Sequence, residues 1–300
     1  MTRSRHLSPA IAFAVAAAGI GLFSIMDAFM KSLTLALGVY NALLWRTGVS
    51  AVFGGVAWAA GGGGWPSRRA TWLHLLRGIV AAVMALLFFW GLARVPMAQA
   101  IALAYIAPLL ALLLGALVLG ERVGMRVVAA SIMALAGVGV ILLGQARMDL
   151  GPQALAGALA ILASAVLYAV NLIVARLQSL AARPGEIAFF QAAIVTLLLA
   201  LAAPFLGAIP PAGEWGKITI AALLATASLF LLGWAYAHGE AGYLATTEYS
   251  SFLYAAVLGW LVFGERVALT TLAGAGIIIA ACLYGARRRD IAQEALGQAA

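Results

Sequence analysis

Residues 93–145 read ARVPMAQAIALAYIAPLLALLLGALVLGERVGMRVVAASIMALAGVGVILLGQ and contain two long apolar runs joined by the charged turn Gly120-Glu121-Arg122. A second such turn, Gly264-Glu265-Arg266, follows another apolar run 144 residues later. The same offset, with no gap, pairs Trp90 with Trp234, Tyr105 with Tyr249, and Asp27 with Asn171. Because self-similarity at one fixed spacing marks a repeated unit, we predict that the chain is one half repeated.

The composition predicts that lipid surrounds most of the chain. Hydrophobic residues make up 65% of the 300 residues and charged residues only 9%, against roughly 25% charged in soluble domains. In lipid every backbone N–H and C=O needs a partner within the protein, which leaves helices or closed barrels. The apolar runs continue for about 20 residues, long enough for a helix to cross a bilayer, and lack the alternation of barrel strands. We therefore predict an all-α polytopic membrane protein.

Ten transmembrane helices are predicted, at residues 9–37, 40–60, 72–92, 95–119, 125–143, 153–177, 186–203, 215–237, 241–263 and 269–284. The first five-helix repeat is expected at residues 1–146 and the second at 147–290, followed by a cytoplasmic tail at 291–300. Because five is an odd number, the second repeat enters the membrane from the opposite face. Inverted repeats around a central cavity recur in secondary transporters, which bind substrate near the mid-plane. A static channel or scaffold is the alternative.

Basic residues predict the orientation of these helices. With a cytoplasmic N-terminus, 12 of the 18 Lys and Arg residues fall on the cytoplasmic side and six on the outer side. Cytoplasmic loops collect Lys and Arg, so both termini are expected in the cytoplasm. We interpret the net charge of +8 as this topology signal and expect no nucleic-acid partner.

Three stretches resemble the drug/metabolite transporter superfamily in its EamA-type branch. They are Leu76-Arg77-Gly78, the segment from Tyr105-Ile106-Ala107-Pro108 to Gly120-Glu121, and the segment from Phe252 to Gly264-Glu265. Arg46, early in the second span, also fits the family pattern. The resemblance implies a ten-helix inverted-repeat carrier in the bacterial inner membrane that exports small metabolites.

Within that family the chain is most similar to bacterial exporters of aromatic amino acids. This finer resemblance is carried by Gly21-Leu22-Phe23-Ser24, Lys31 and Tyr105. One position departs from the repeat, because Phe252 stands where the first copy has Pro108. A proline-broken helix is therefore expected in the first half alone.

Asp27 and Lys31 form a candidate charge pair within the first span. They are four residues apart with the acid first, which is the order that favours pairing on a helix. One hypothesis is that they bind the ammonium and carboxylate of a zwitterion. The alternative is that Lys31 extends to the outer surface and Asp27 only neutralises it.

Glu248 is the other acidic residue well within a span. A charge at the bilayer centre costs at least about 2.5–3.5 kcal/mol, so such a group should face a wet cavity or a partner. Asp27 and Glu248 are therefore the candidate proton-coupling residues. The alternative is that Glu248 stays protonated and silent, because burial disfavours the charged form of a carboxyl group.

Aromatic and polar side chains near the mid-plane complete the candidate site. Tyr105 and Tyr249 stand at equivalent positions about nine residues into their spans, roughly 13 Å along a helix. Aromatic walls with a few polar groups suit a flat apolar ligand, although aromatic residues at helical spacing also pack helices together. The candidate substrate-binding residues are Phe23, Asp27, Lys31, Trp45, Tyr105, Tyr168, Asn171, Glu248 and Tyr249.

Motifs of enzymes are missing from the sequence, and no cofactor or metal is expected. Neither a metal-ligand cluster of His, Cys and carboxylates nor a phosphate-binding Gly-x4-Gly-Lys loop is present. We predict a secondary transporter that exports amino acids, in particular aromatic or other apolar ones, and related small metabolites by alternating access. A monomer suffices for this function. Export of hydrophobic drugs or other metabolites is the alternative, and a lipid scramblase or membrane enzyme is a remote one.

Overall fold

The computed structural model describes residues 9–119, 125–147, 152–239, 244 and 246–297. The helices are α1 (Pro9–Ala60), α2 (Arg68–Leu92), α3 (Met97–Ala104), α4 (Ala107–Leu119), α5 (Met125–Arg147), α6 (Pro152–Ser179), α7 (Pro184–Leu206), α8 (Trp215–His238), α9 (Ser250–Phe263) and α10 (Leu269–Gly297). Two 3-10 turns, Ala212–Glu214 and Thr246–Tyr249, precede α8 and α9. These ranges contain no strand, so the predicted all-α class is confirmed. The first Gly-Glu-Arg turn lies outside the described residues.

The helix α1 contains two spans, because the chain turns back at Gly38. Gly38 has φ 78° and ψ 155°, a positive φ that glycine adopts without the strain a side chain would cause. The Asp27 carboxylate lies within electrostatic range of Arg46, whereas a straight helix would separate the two residues by about 28 Å. The bend therefore divides α1 into the two spans predicted at 9–37 and 40–60.

The described helices account for ten spans. The helices α3 and α4 form one broken span, and α9 forms another with the 3-10 turn before it. Five helical segments are long and apolar enough to cross a bilayer, and three shorter apolar helices cover residues 97–111, 128–144 and 269–284. We call the end of the bundle that holds the bend at Gly38 the Gly38 end. The other end, with the turn at Gly62 (φ 85°), is the Gly62 end.

The repeat-related helices α5 and α10 cross in antiparallel directions. Gly137 of α5 packs on Ile278 of α10. Two turns further along α5, Gly144 packs on Thr270, so residue numbers fall along α10 as they rise along α5. The helix α5 begins 144 residues before α10, and the two are therefore equivalent in the repeat. Equivalent helices cross in this way only when one repeat is inverted, which confirms the predicted inversion.

The two repeats hold each other through equivalent hydrogen bonds. The Ser228 hydroxyl of α8 donates to the Gly19 carbonyl of α1 at 2.7 Å. The Ser164 hydroxyl of α6 donates to the Met84 carbonyl of α2 at 3.0 Å. Met84 is the repeat equivalent of Ser228, and Ser164 is one residue from the equivalent of Gly19. Because the hydrophobic effect does not draw helices together in lipid, such bonds and close packing hold the bundle together.

Both repeats contain a broken span, although a proline stands at the break in the first repeat alone. The first break separates α3 from α4 around Tyr105, and the second separates the turn at Thr246–Tyr249 from α9. In the second copy, hydroxyl groups replace the missing proline. The side chains of Thr247, Ser250 and Ser251 each donate to the carbonyl three residues earlier at 2.6 Å. Such local bonds compete with the helix hydrogen-bond ladder and interrupt it.

Gly137 permits the close approach of α5 and α10. A Cβ at Gly137 would lie 2.7 Å from Ile278 Cγ1 and 2.8 Å from the Gly274 carbonyl oxygen, whereas a Cβ at Gly139 would meet nothing within 4 Å. We expect Gly137→Ala to lower the melting temperature of the purified protein by several degrees, because overpacking typically costs about 1–3 kcal/mol.

Gly139→Ala, on the same helix, is the matched control. It should leave the melting temperature unchanged or raise it slightly, because Ala favours a helix over Gly by about 1 kcal/mol. Equal melting temperatures for the two variants would contradict the close approach of α5 and α10 at Gly137.

Candidate functional site

Tyr105 and Tyr249, which are equivalent residues of the two repeats, touch inside the bundle. Their ring centroids are 5.4 Å apart and the ring planes are inclined at 81°. A residue that contacts its own repeat equivalent lies on the axis that relates the repeats, so this axis passes between the two rings. Tyr105 is only 8% exposed and belongs to the hydrophobic core. The two broken spans therefore cross at this point.

The Tyr105 hydroxyl stabilises the break in the opposite repeat. It accepts the Phe252 N–H at 2.8 Å and shares a hydrogen bond of 2.8 Å with Ser251 Oγ. The N–H groups at the start of a helix have no partner within the helix, and Tyr105 supplies one for the start of α9. Any contact between Tyr105 and a ligand must therefore use the ring, and its assignment to the binding site stays a prediction.

Lys31 pairs with Glu265 rather than with Asp27. Its Nζ lies 2.5 Å from Glu265 Oε1 and donates to the Val95 carbonyl at 2.7 Å. The second oxygen of Glu265 accepts the Met97 N–H at 2.8 Å. The predicted pair of Asp27 and Lys31 is thus wrong, because a carboxylate from another span satisfies the lysine. Nor does Lys31 extend to the surface, since it is 4% exposed.

We call Lys31, Glu265 and the N–H of Met97 the Gly38-end bridge. It joins α1 and α3 of the first repeat to the turn between α9 and α10 in the second. Gly264 ends α9 with φ 65° and so directs the turn that carries Glu265. The bridge therefore connects both repeats across the end of the bundle where the predicted orientation places the outside.

Asp27 is buried beside a second cationic residue. It is 2% exposed, and within the described part of the chain its Oδ1 has no hydrogen-bond partner. Arg46 of the second span lies within electrostatic range, and its Nε also has no partner there. Leaving polar atoms buried and unpaired is costly, which is consistent with a group that changes its partner or its protonation. Its role in proton coupling stays a prediction.

Glu248 lies in a cleft toward the Gly62 end. Its Oε1 accepts the Tyr236 hydroxyl at 3.1 Å, and Oε2 has no hydrogen-bond partner among the described residues. Tyr168, 36% exposed, lies within electrostatic range of Glu248. Both Glu248 and Tyr168 are accessible to solvent although protein atoms closely surround them, as expected for a concave site. We call Tyr168, Tyr236 and Glu248 the Glu248 cleft.

Asn171 contributes to a polar cluster at the same end. The Arg77 guanidinium donates from Nε to Asn171 Oδ1 at 3.2 Å and from Nη1 to Gln178 Oε1 at 2.5 Å. Gln178 in turn contacts His74 Nδ1 at 2.5 Å, and His74 Nε2 lies 2.9 Å from Glu186 Oε1. Asn171 is thus a neighbour of a cation, and its assignment to the binding site stays a prediction. No cluster of three or more potential metal ligands occurs in the part of the chain that the structure describes.

Trp45 and Phe23 lie apart from this cluster. Trp45 Nε1 donates to the Ala208 carbonyl at 2.8 Å, and its ring meets Trp215 edge-on at 5.1 Å. At the Gly38 end, Trp45 thereby packs the second span of α1 against α8 and the loop before it. Its assignment to the binding site stays a prediction. Phe23 is 42% exposed. Its assignment to the binding site stays a prediction.

Four residues of the Gly62 end were not predicted as site residues: Arg77, His74, Gln178 and Tyr236. His74 and Arg77 stand near the start of the third span, where contact with lipid headgroups is as good an explanation of a polar residue as contact with substrate. One available signal is the spacing of Arg77 and His74, which places both on one helix face. Another is the repeat, because their equivalents are the apolar residues Ala221 and Ile218. A polar pair present in only one repeat indicates a role that the fold alone does not require.

Comparison with known proteins gives the family. The EamA-like transporter family matches residues 8–143 and 155–284, which form one segment in each half of the chain. The chain belongs to the EamA-like transporter family. It is therefore a polytopic membrane transporter built from two repeats, and it is not an enzyme.

Two relatives and one solved structure resemble this EamA-like transporter over most of its length. The pseudopaline exporter CntI of Pseudomonas aeruginosa is 27% identical over 276 residues, covering 89% of this chain and 93% of its own. The riboflavin transporter of Rhizobium johnstonii is 31% identical over 273 residues, covering 89% and 87%. A crystal structure with a TM-score of 0.64 and 21% identity covers 93% of this chain and 98% of its own, and supports the fold. The finer resemblance to aromatic amino-acid exporters stays a prediction.

The Gly38-end bridge of this EamA-like transporter is expected to keep its end of the bundle closed. Glu265→Gln leaves Lys31 buried without a counter-charge, and breaking one partner of a buried ion pair typically costs about 3–5 kcal/mol. We expect the variant to open the Gly38 end more often. A cysteine at Ala98, a buried residue next to Met97, should then react several-fold faster with a maleimide in the purified protein.

Glu214→Gln is the matched control, because Glu214 forms a 3.0 Å ion pair at the same end with Lys217, whose side chain is 41% exposed. It should leave the labelling of Ala98→Cys unchanged. Adding Lys31→Met to Glu265→Gln should slow labelling again, since the unpaired charge is then absent. Equal labelling rates for Glu265→Gln and Glu214→Gln would show that the bridge does not close this end.

Proposed function

We propose that this protein exports amino acids, in particular aromatic or other apolar ones, and related small metabolites across the bacterial inner membrane. The observation that carries this proposal is the Glu248 cleft. Its carboxylate is accessible and has one oxygen without a partner among the described residues, which suits a substrate ammonium group. Tyr168 and Tyr236 beside it offer rings against which a flat apolar side chain can pack. The names of the two relatives support small-metabolite transport at the coarser level.

Alternating access is the mechanism that the inverted repeats support. The Gly38-end bridge joins the repeats at one end, and the Glu248 cleft lies toward the other. With the predicted cytoplasmic termini, the Gly62 end faces the cytoplasm, and substrate enters the cleft from there. Because the repeats are equivalent, exchanging their conformations closes the Gly62 end and opens the Gly38 end. We propose that the repeats meet at residues 146 and 147.

Counterflow in proteoliposomes tests the substrate class. Liposomes loaded with phenylalanine should take up labelled aromatic and apolar amino acids from a panel of twenty, with saturable kinetics. Glu248→Gln should slow this uptake at least tenfold, because it removes the charge that binds the ammonium group. Glu214→Gln, which removes an acid from the ion pair with the exposed Lys217 at the Gly38 end, is the control and should have no effect. Saturable uptake of no amino acid would contradict the proposal.

Export of hydrophobic drugs or other metabolites is the second candidate function, favoured by relatives named for pseudopaline and riboflavin. A competition panel on the same liposomes separates the two functions. Inhibition of flux by phenylalanine favours amino-acid export. Inhibition by riboflavin or lipophilic cations, with no effect of phenylalanine, favours the second candidate.

Proton coupling through Asp27 or Glu248 is a separate part of the proposal. We expect an imposed proton gradient to accelerate flux in the wild type, and Asp27→Asn or Glu248→Gln to remove that acceleration. The measurement is amino-acid flux with and without the gradient at constant membrane potential. Flux that is independent of the gradient in the wild type, and that both variants retain, would eliminate proton coupling.

A further inference from the structure

Arg77 carries a positive charge that no carboxylate in the described ranges neutralises. Its two hydrogen bonds go to the neutral amide oxygens of Asn171 and Gln178. A guanidinium group stays charged in proteins and has five N–H donors. Within the described chain, Nη2 donates to no protein acceptor. A charge in a membrane span without a counter-ion is costly, so a negatively charged ligand bound at Arg77 would be stabilised.

A chain of buried hydrogen bonds fixes the orientation of Arg77. Because the guanidinium only donates, Gln178 must turn its Oε1 toward Arg77 and its Nε2 toward His74. The contact of 2.5 Å between Gln178 Nε2 and His74 Nδ1 therefore makes Nδ1 the acceptor. His74 then carries its proton on Nε2 and donates it to Glu186 Oε1 at 2.9 Å. Gln178 and His74 are 0% and 1% exposed, so solvent does not compete for the bond between them.

Arg77 also lies beside the Glu248 cleft. Tyr168 is within electrostatic range of both Arg77 and Glu248, and part of its surface is accessible to solvent. A cation and an anion are thus both near the accessible ring of Tyr168. Neither charged group forms an ion pair with another described residue.

We propose that Arg77 binds the carboxylate of the transported substrate, and that Gln178 and His74 are its positioning residues. The planar fork of a guanidinium matches the two oxygens of a carboxylate, and Glu248 binds the ammonium group. The ligand class is therefore a zwitterion with an aromatic or apolar side chain. This inference rests on the proposed export of amino acids and adds the group that recognises the negative end of the substrate.

Substrate analogues that lack one charge test this assignment. Phenethylamine keeps the ammonium group and ring of phenylalanine without the carboxylate, and 3-phenylpropionate keeps the carboxylate and ring without the ammonium group. In counterflow, Arg77→Gln should raise the half-saturation concentration for phenylalanine at least tenfold and leave that for phenethylamine within twofold. Arg77→Lys, which keeps the charge but loses the fork, should fall between wild type and Arg77→Gln.

The preference for phenylalanine over phenethylamine distinguishes a positioning role of Gln178 from general damage to the fold. Gln178→Leu should lower the preference for phenylalanine over phenethylamine in the same direction as Arg77→Gln, because it releases the guanidinium. Arg176→Gln removes an exposed arginine from the same end and should not change the preference. Equal weakening of phenylalanine and phenethylamine by Arg77→Gln would overturn the assignment. An effect of Arg77→Gln only on the anionic-lipid dependence of flux would assign Arg77 to lipid headgroups instead.

A binding measurement separates this inference from the proposed function. We expect 3-phenylpropionate to raise the melting temperature of the purified wild type but not of Arg77→Gln. If the wild type transports no amino acid and 3-phenylpropionate still stabilises it through Arg77, the carboxylate-binding site is supported and the proposal of amino-acid export is contradicted. If 3-phenylpropionate stabilises neither protein, or stabilises both equally, the assignment of Arg77 as the carboxylate-binding residue is contradicted, whatever the transport result.

Discussion

The contact between Tyr105 and Tyr249 is the point on which the arrangement of the two repeats depends. The rings meet on the axis that relates the repeats, and the Tyr105 hydroxyl accepts the Phe252 N–H in the first turn of the helix of the other broken span. In lipid an interrupted helix leaves backbone groups without partners, and neighbouring side chains must supply them. Here one repeat supplies the partner for the break in the other. The two halves are therefore interdependent at the place where each is locally weakest.

The repeats have kept their backbone and diverged in their polar side chains. The repeat equivalent of Lys31 is Ala175, so the Gly38-end bridge has no counterpart at the other end. Likewise Ala221 stands at the equivalent position of Arg77, and Ala104 at that of Glu248. A symmetric scaffold provides two related states. Polar residues that occur in only one repeat make the two ends of the bundle chemically different. One end carries a buried ion pair between repeats, and the other an accessible cation and anion.

Much of the architecture could be predicted because it follows from composition and spacing. The apolar runs predicted the ten spans, and the 144-residue offset with an odd number of spans per repeat predicted the inversion that the crossing of α5 and α10 confirms. The second break was not predicted, because three hydroxyl groups interrupt the helix where a proline was the expected sign. Many sequences can produce such a break, so the presence or absence of one residue type does not decide it.

The sequence by itself determined that this chain spans a membrane as two inverted repeats, since those properties depend on hydrophobicity and periodicity along the chain. Only the tertiary structure decided which charges meet. Asp27 and Lys31 have the spacing of a helical pair, yet Lys31 reaches Glu265, 234 residues away, and Asp27 lies within electrostatic range of Arg46. Helical spacing limits which side chains are neighbours on one helix. A buried charge, however, pairs with the group that best replaces its lost hydration, and in this bundle that group comes from another span.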